Sequence, residues 1–181
     1  MNEMNQDLCA VLLDELTIKT RIAELGAQLS EEYKDKYPIL VCILKGASLF
    51  LSDLMRAMTI PLEIDFMSIS SYGTGTKSTG VVQIRKDIDA DLHGRHVIVV
   101  EDIVDSGLSL SYVTNYLSKH HAASVKICTL LNKPAAHKTA IKVDYVGFDI
   151  GNEFAVGYGL DFAEKYRNLP YIGILKEEVY L

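Results

Sequence analysis

Val97-Ile-Val-Val-Glu-Asp-Ile-Val-Asp-Ser-Gly-Leu-Ser-Leu110 is the segment on which the fold turns. Its first four residues are all β-branched, as in a strand covered on both faces of a sheet. The strand reads as ending in Glu101-Asp102, turning through Asp105-Ser106-Gly107 and entering a helix marked by Leu110, Val113 and Leu117. In open α/β sheets, ligands bind at the carboxyl ends of such strands. The turn offers backbone N–H groups, the helix N-terminus its positive dipole end, and Ser106 and Ser109 hydroxyl donors, a set that suits a phosphate. The plainer alternative is that Asp105 or Ser106 only caps the helix, and for a lone Asp before a helix that is the commoner case. Three carboxylates beside a phosphate site shift the balance, because alone they would repel the anion. Adjacent acids can grip the vicinal hydroxyls of a ribose, directly or through Mg²⁺, which takes carboxylates together with substrate oxygens.

Outward from this segment the pattern alternates. After the apolar run Ala10–Leu13, Asp14 is placed to cap a helix whose stripe is Ile18, Ile22, Leu25 and Leu29, ending near Tyr33. Pro38 breaks it. Ile39–Leu44 reads as a buried strand, followed by a helix carrying Leu49, Phe50, Leu54 and Met58. Leu62–Ile69 alternates, with Leu62, Ile64 and Phe66 on one face and Glu63 and Asp65 on the other. Val81–Arg85, Val125–Leu131, Val143–Ile150 and Tyr171–Leu175 are further strands. Strands alternating with helices predict an α/β domain around a mainly parallel sheet, and a chain of 181 residues predicts one domain over 1–181.

Composition narrows the classes. The formal net charge of −6 argues against a general nucleic-acid or anionic-membrane binder, both of which need a basic surface. The scattered Cys9, Cys42 and Cys128 read as reduced core thiols, with neither zinc spacing nor a disulfide frame. The polar, acidic start Met-Asn-Glu-Met-Asn-Gln-Asp lacks the basic-then-apolar pattern of a signal peptide, and the apolar runs fall far short of the roughly 20 residues of a membrane span. The expectation is a cytoplasmic protein without a membrane partner.

Ser70-Ser-Tyr-Gly-Thr-Gly-Thr-Lys-Ser-Thr-Gly80 is long and polar between two strands, as a functional lid is. It is neither of the common nucleotide loops. A P-loop has Gly directly before Lys-Ser/Thr, whereas Thr76 precedes Lys77; GxGxxG fails at Ser78.

The strand, two acids, two apolar residues, Asp, a small hydroxyl residue, Gly and a later hydroxyl residue resemble the phosphoribosyl pyrophosphate signature of type I phosphoribosyltransferases. Further segments resemble the hypoxanthine-guanine branch in order and spacing: Leu44-Lys45-Gly46, Ser71-Tyr72-Gly73, Leu130-Leu-Asn-Lys133, Val146-Gly-Phe-Asp149, Phe154-Ala-Val-Gly-Tyr-Gly-Leu-Asp161 and Tyr166-Arg167-Asn-Leu-Pro-Tyr171. The likeness runs from about Val11 to the C-terminus. It implies a type I fold with a mainly parallel central sheet flanked by helices, a small hood and a mobile lid over about 70–80. It implies transfer of a phosphoribosyl group from phosphoribosyl pyrophosphate to a 6-oxopurine, with Mg²⁺ as cofactor, in a homodimer or homotetramer.

The resemblance also distributes roles. Glu101 and Asp102 hold ribose hydroxyls and a metal, Asp161 a second metal, and Asp105 acts at purine nitrogen 7. Ser106, Gly107, Leu108 and Ser109 cradle the 5′-phosphate. Lys133 meets the six-oxygen, Phe154 stacks on the base, and Ala155 contacts it through backbone beside Asp161. Lys45, Gly46 and Arg167 bind pyrophosphate after a cis Leu44–Lys45 peptide, and Ser71 and Tyr72 open the lid. The chain departs from the family in having Ser where Thr is common at 106 and 109, and Pro-Ala-Ala-His-Lys after Lys133, which leaves His137 or Lys138 as substitutes for a pyrophosphate contact. An adenine or orotate enzyme is disfavoured because Lys133 is a donor only and would face adenine's amino group badly. A phosphoribosyltransferase-like RNA-binding regulator of pyrimidine genes is the alternative from another class.

Overall fold

The computed structural model describes residues 3–71 and 82–181. Tyr72 and the rest of the glycine-rich segment lie outside the described residues, and of Ser71 only its place at a strand end is described.

Asp14 caps the first helix: its backbone is extended and its carboxylate accepts the Thr17 N–H at 2.7 Å. Helix α1 (Glu15–Glu32) buries Ile18, Ile22, Leu25 and Leu29, the stripe its spacing predicts. Helix α2 (Ser48–Ala57) lies beside it and buries Phe50, Leu51 and Leu54. Strand β2 (Ile39–Leu44) pairs in parallel with β3 (Glu63–Ser71) on one side and β5 (His96–Val104) on the other. Strands β6 (Ser124–Asn132) and β7 (Tyr145–Asp149) extend the parallel set, and β4 (Val82–Lys86) closes the far edge antiparallel to β3. The order is β4-β3-β2-β5-β6-β7. Residues alternate between two cores. Leu40, Cys42, Ile98, Val100 and Cys128 face α1 and α2, while Ile39, Val41, Val97, Val99 and Ile127 face helix α3 (Leu108–Ser118) through Leu110, Val113 and Leu117.

A second sheet forms the hood. Strand β1 (Leu8–Leu13) pairs antiparallel with β9 (Ile172–Leu175), and β9 with the two-residue β8 (Ala155–Val156). Tyr171–Leu175 is therefore a strand, as its apolar run predicts, but of the hood. The short helix α4 (Glu177–Tyr180) follows.

Register fixes where the site lies. Strand β2 follows β5 only from Ile39↔Val97 to Cys42↔Val100, yet stays with β3 as far as Leu44↔Ser68. Strand β5 instead continues along β6 to Val104↔Asn132. The sheet opens between the carboxyl ends of β2 and β5, where its two halves diverge, and this is where open α/β sheets take ligands.

Three expectations change. Strand β5 does not stop at Glu101-Asp102: both acids are strand residues, because pairing with β6 satisfies their backbone whatever their side chains. Cys42 and Cys128 are buried, but Cys9 is exposed on β1, its Sγ 3.5 Å from the Ile174 carbonyl. Asp65 is buried at 7% exposure and Ile64 is exposed, against the apolar alternation.

Asp65 earns its burial through donors. Its carboxylate accepts N–H bonds from Phe66 at 2.6 Å, Asp89 at 2.7 Å and Ala90 at 2.9 Å, with the Lys86 ammonium at 3.7 Å. Burial alone would raise its pKa; those N–H groups and Lys86 outweigh it and hold the carboxyl below its ordinary range. With the folded value below an unfolded value of about 3.9, its stabilisation is complete at neutral pH and disappears as acid titrates the folded carboxylate. Asp65→Ala strands the Asp89 and Ala90 donors and should cost about 2–4 kcal/mol in urea unfolding at pH 7. The gap between wild type and variant should narrow as the pH falls from about 4 through the depressed pKa of the folded Asp65 carboxyl.

Candidate active site

Local chemistry builds the turn after β5. Gly107 is the N-cap of α3 at φ 77°, a left-handed conformation that a side chain resists, and it is buried against Ile141 and Thr139. No side chain caps the helix. Ser106 Oγ is 3.5 Å from the Leu108 N–H, and Asp105 is exposed, with no hydrogen bond to its carboxylate among the described residues. The cap role open to Asp105 in the sequence is not one it takes. The first-turn N–H groups of α3, which have no intrahelical partner, open beside Ser106 and Ser109.

A cavity of about 330 Å³ follows the opened sheet, lined by Lys45 and Gly46 from the end of β2, Glu101 to Gly107 and Ser109 from β5 and α3, and Asp161 and Arg167 from the hood. The Leu44–Lys45 peptide is cis, as the resemblance implies. Gly46 sits hard against the acids: a Cβ built there would lie 1.6 Å from Asp102 Oδ2. Burial pushes the Glu101 carboxyl well above its usual range, and the charge and hydrogen bond of Asp102 add to this. Burial raises Asp102 too, against the opposing bonds from Glu101 and the Ile103 N–H, the latter 2.8 Å from Oδ1. Two carboxyls so placed call for a cation or hydroxyl donors to stabilise their charge.

Arg167 anchors the hood side. Its Nη1 donates to the Gly159 carbonyl at 2.8 Å, and Nη2 reaches Asp161 at 2.9 Å and Glu164 at 3.3 Å. Its buried Nε has no partner among the described residues, a donor left for a ligand to take. Lys45 Nζ lies 3.1 Å from both oxygens of Glu164.

A second lobe of about 300 Å³ shares Asp102, Ile103, Asp105 and Asp161 with the first and adds Lys133, Phe154, Ala155 and Leu160. The Lys133 N–H donates to the Val104 carbonyl at 2.9 Å, which sets this residue beside Asp105; its Nζ donates to the Glu153 carbonyl at 2.9 Å. Phe154 stacks on Tyr180, with centroids 4.7 Å apart at 25°, and meets Phe162 edge-on at 5.6 Å. Ala155 is buried in β8.

Apart from the lid residues Ser71 and Tyr72, the structure gathers the residues expected at the site except Leu108, which is not among the lining residues although it begins α3 between Gly107 and Ser109. His137 and Lys138 do not line either lobe: His137 Nε2 pairs with Asn132 Oδ1 at 2.9 Å, and Lys138 holds the turn through its N–H to the Ser106 carbonyl. Glu101, Asp102 and Asp161 do not converge on one point; among the described residues no three His, Cys, Asp or Glu side chains form a metal cage. Sequence reading missed Ile103, Leu160 and Glu164. The three-residue spacing of Asp161, Glu164 and Arg167 is the signal that points to Glu164.

A serine-bearing turn into a helix, a buried acid pair and two adjoining lobes on one opened sheet are the arrangement of a phosphoribosyltransferase, and residues 11–163 match the family model of the phosphoribosyl transferase domain. The chain is 50% identical to the hypoxanthine-guanine phosphoribosyltransferase of Bacillus subtilis over 98% of both chains. It is 52% identical over 98% of its length to the bifunctional protein TilS/HprT of Listeria innocua, but spans only 27% of that protein. The crystal structure of a hypoxanthine phosphoribosyltransferase from Staphylococcus aureus superposes with a TM-score of 0.96 at 48% identity, covering 100% of this chain and 99% of that one. The chain belongs to the hypoxanthine-guanine phosphoribosyltransferase family. Among the described residues no helix is long and apolar enough to cross a membrane.

Proposed function

We propose that this chain is a purine salvage enzyme that transfers the 5-phosphoribosyl group of phosphoribosyl pyrophosphate to hypoxanthine or guanine, giving IMP or GMP and pyrophosphate. The observation that carries this is the sharing of Asp102, Ile103, Asp105 and Asp161 by the two lobes, which sets a crevice suited to a sugar phosphate and a lobe suited to a base either side of three carboxylates. Family membership and the order of the motifs support it.

The turn at Ser106–Ser109 and the first N–H groups of α3 hold the 5′-phosphate, and Glu101 and Asp102 take the ribose hydroxyls. The bond from ribose C1′ to the pyrophosphate oxygen breaks with its electron pair leaving on oxygen. A purine ring nitrogen then forms the new bond to C1′. Asp105 accepts or shares the proton that makes the purine nucleophilic, at nitrogen 7. Lys45, the Gly46 backbone and Arg167 receive the pyrophosphate, the unpartnered Nε of Arg167 among the donors. Glu101 and Asp102, adjacent carboxyls on the crevice wall, would hold Mg²⁺ together with substrate oxygens, and the ion would supply positive charge to the pyrophosphate. Asp161 is spent on Arg167 and the Glu164 N–H, so holding a second ion there requires that those contacts loosen. The resemblance supports assembly as a homodimer or homotetramer in the cytoplasm.

Steady-state kinetics with hypoxanthine, guanine, xanthine and adenine test the reading, each with Mg²⁺ and with excess chelator. Turnover of the 6-oxopurines that requires Mg²⁺ is expected. Equal turnover of adenine, or a salt-sensitive affinity for RNA without transfer, would overturn it. Lys133→Ala removes a charge-assisted bond worth about 1.5–3 kcal/mol, so kcat/KM for 6-oxopurines should fall about ten- to hundredfold. Affinity for phosphoribosyl pyrophosphate should hardly move.

A further inference from the structure

We propose that Glu164 competes with pyrophosphate for Lys45 and Arg167 and thereby sets how tightly the crevice holds that leaving group. The proposal rests on the pyrophosphate-binding role given to those two cations above.

Glu164 spans both of them. One oxygen lies 3.1 Å from Lys45 Nζ, and the other lies 3.1 Å from Lys45 Nζ and 3.3 Å from Arg167 Nη2. Arg167 Nη1 is committed to the Gly159 carbonyl, and Nη2 divides itself between Glu164 and Asp161. Among the described residues, the buried Nε of this side chain is without a partner. A polyanion can start from the free Nε and the third N–H of Lys45. To draw further on the two cations it must compete with Glu164 for their other donors, and the carboxylate beside it meets like-charge repulsion.

Stability does not explain the contact. The Lys45 and Glu164 side chains are 68% and 66% exposed, and exposed pairs contribute little to folding. The backbone, moreover, is bent to present the carboxylate. Ala163 and Glu164 have φ of 50° and 62°, the left-handed region that side chains other than Gly and Asn seldom enter. Asp161 Oδ2 fixes this conformation by accepting the Glu164 N–H at 2.9 Å. Strained positions of this kind gather at functional sites. Glu164 acts as an internal anion: it keeps Lys45 and Arg167 in place between turnovers and takes them back as the product leaves.

The expected size follows from populations. If the Glu164 pairs form in about seven to nine molecules in ten, the apparent affinity for pyrophosphate is about three- to tenfold below its intrinsic value. Calorimetric titration of wild type with magnesium pyrophosphate, beside Glu164→Gln and Glu164→Asn, reads this directly. Gln keeps the length without the charge; Asn accepts the left-handed backbone, so one variant retains the fold if the other does not. Both should bind pyrophosphate about three- to tenfold tighter, with IMP affinity unchanged. Binding equal to or weaker than that of wild type, in variants that still bind IMP normally, overturns the proposal and leaves the crevice assignment standing. No pyrophosphate binding by wild type, or no loss of it in Lys45→Ala and Arg167→Ala, overturns the crevice assignment itself.

Discussion

Asp105→Asn is expected to melt near the wild-type temperature, bind phosphoribosyl pyrophosphate and IMP normally, and turn over at least about a hundredfold more slowly. The structure separates the two roles open to this residue. A helix cap would accept an N–H of the first turn, whereas the cap position of α3 is Gly107 and carries no side-chain bond. Asp105 is exposed, lines both lobes and meets no hydrogen-bond donor among the described residues. Its negative charge has no structural partner to lose, so removing it leaves the fold and the phosphate turn alone. What disappears, on the role proposed for Asp105, is a base beside the purine ring, and positioned general bases contribute about 10²–10⁴ in rate. A kcat within a few-fold of wild type would make Asp105 a solvated turn residue and move the proton to another acceptor.

What the sequence discloses of this protein is what it encodes locally. Ile39–Leu44 is apolar on both faces and appears as β2 at those limits, because a central parallel strand needs no alternation. Asp14 and the Ile18–Leu29 stripe fix α1 because cap and period lie within one segment. The phosphate turn is legible for the same reason: strand end, Gly107 and the two serines are consecutive. Elements completed by distant chain are not. The hood joins Leu8–Leu13 to Ile172–Leu175, and β8 is two residues whose strand character exists only in that pairing. Asp65 breaks the alternation of β3 because its donors, Asp89 and Ala90, come from beyond the next strand. Glu101 and Asp102 read as the end of a strand by their polarity, yet β6 carries β5 past them. Within the site, resemblance supplies the roles of Lys45 and Arg167, but the Glu164 carboxylate between them is a contact across more than a hundred residues.

Gly46→Ala should lower kcat/KM for phosphoribosyl pyrophosphate at least about a hundredfold while leaving the melting temperature little changed, as the packing around Gly46 requires. An ideal Cβ at 46 lies 1.6 Å from Asp102 Oδ2 and 2.6 Å from Asp102 Cγ, well inside any real contact. Asp102 does not swing aside freely, because its Oδ1 accepts the Ile103 N–H at 2.8 Å and Glu101 crowds its other side. The turn cannot retreat freely either: Gly159 packs so closely behind it that a Cβ there would lie 2.1 Å from the Gly46 carbonyl oxygen. One of the two must give, and in the assignment proposed above each faces a different part of the substrate, the ribose at Asp102 and the pyrophosphate at the 45–46 backbone. Displacements near 1 Å between groups that grip one substrate cost about a hundredfold in rate. Folding is largely spared because the clash falls on the polar wall of the crevice, at the Asp102 carboxylate. The core residues Ile43, Val104 and Leu110 line the same crevice but contribute none of the nearest atoms that the new Cβ meets. Of the residues lining the second lobe only Asp102 takes part in the clash, while Lys133, Phe154 and Leu160 are untouched, so the KM for hypoxanthine should change less than that for phosphoribosyl pyrophosphate. A variant with unchanged kinetics toward phosphoribosyl pyrophosphate would show that the acids and the 45–46 turn need not be held together for catalysis.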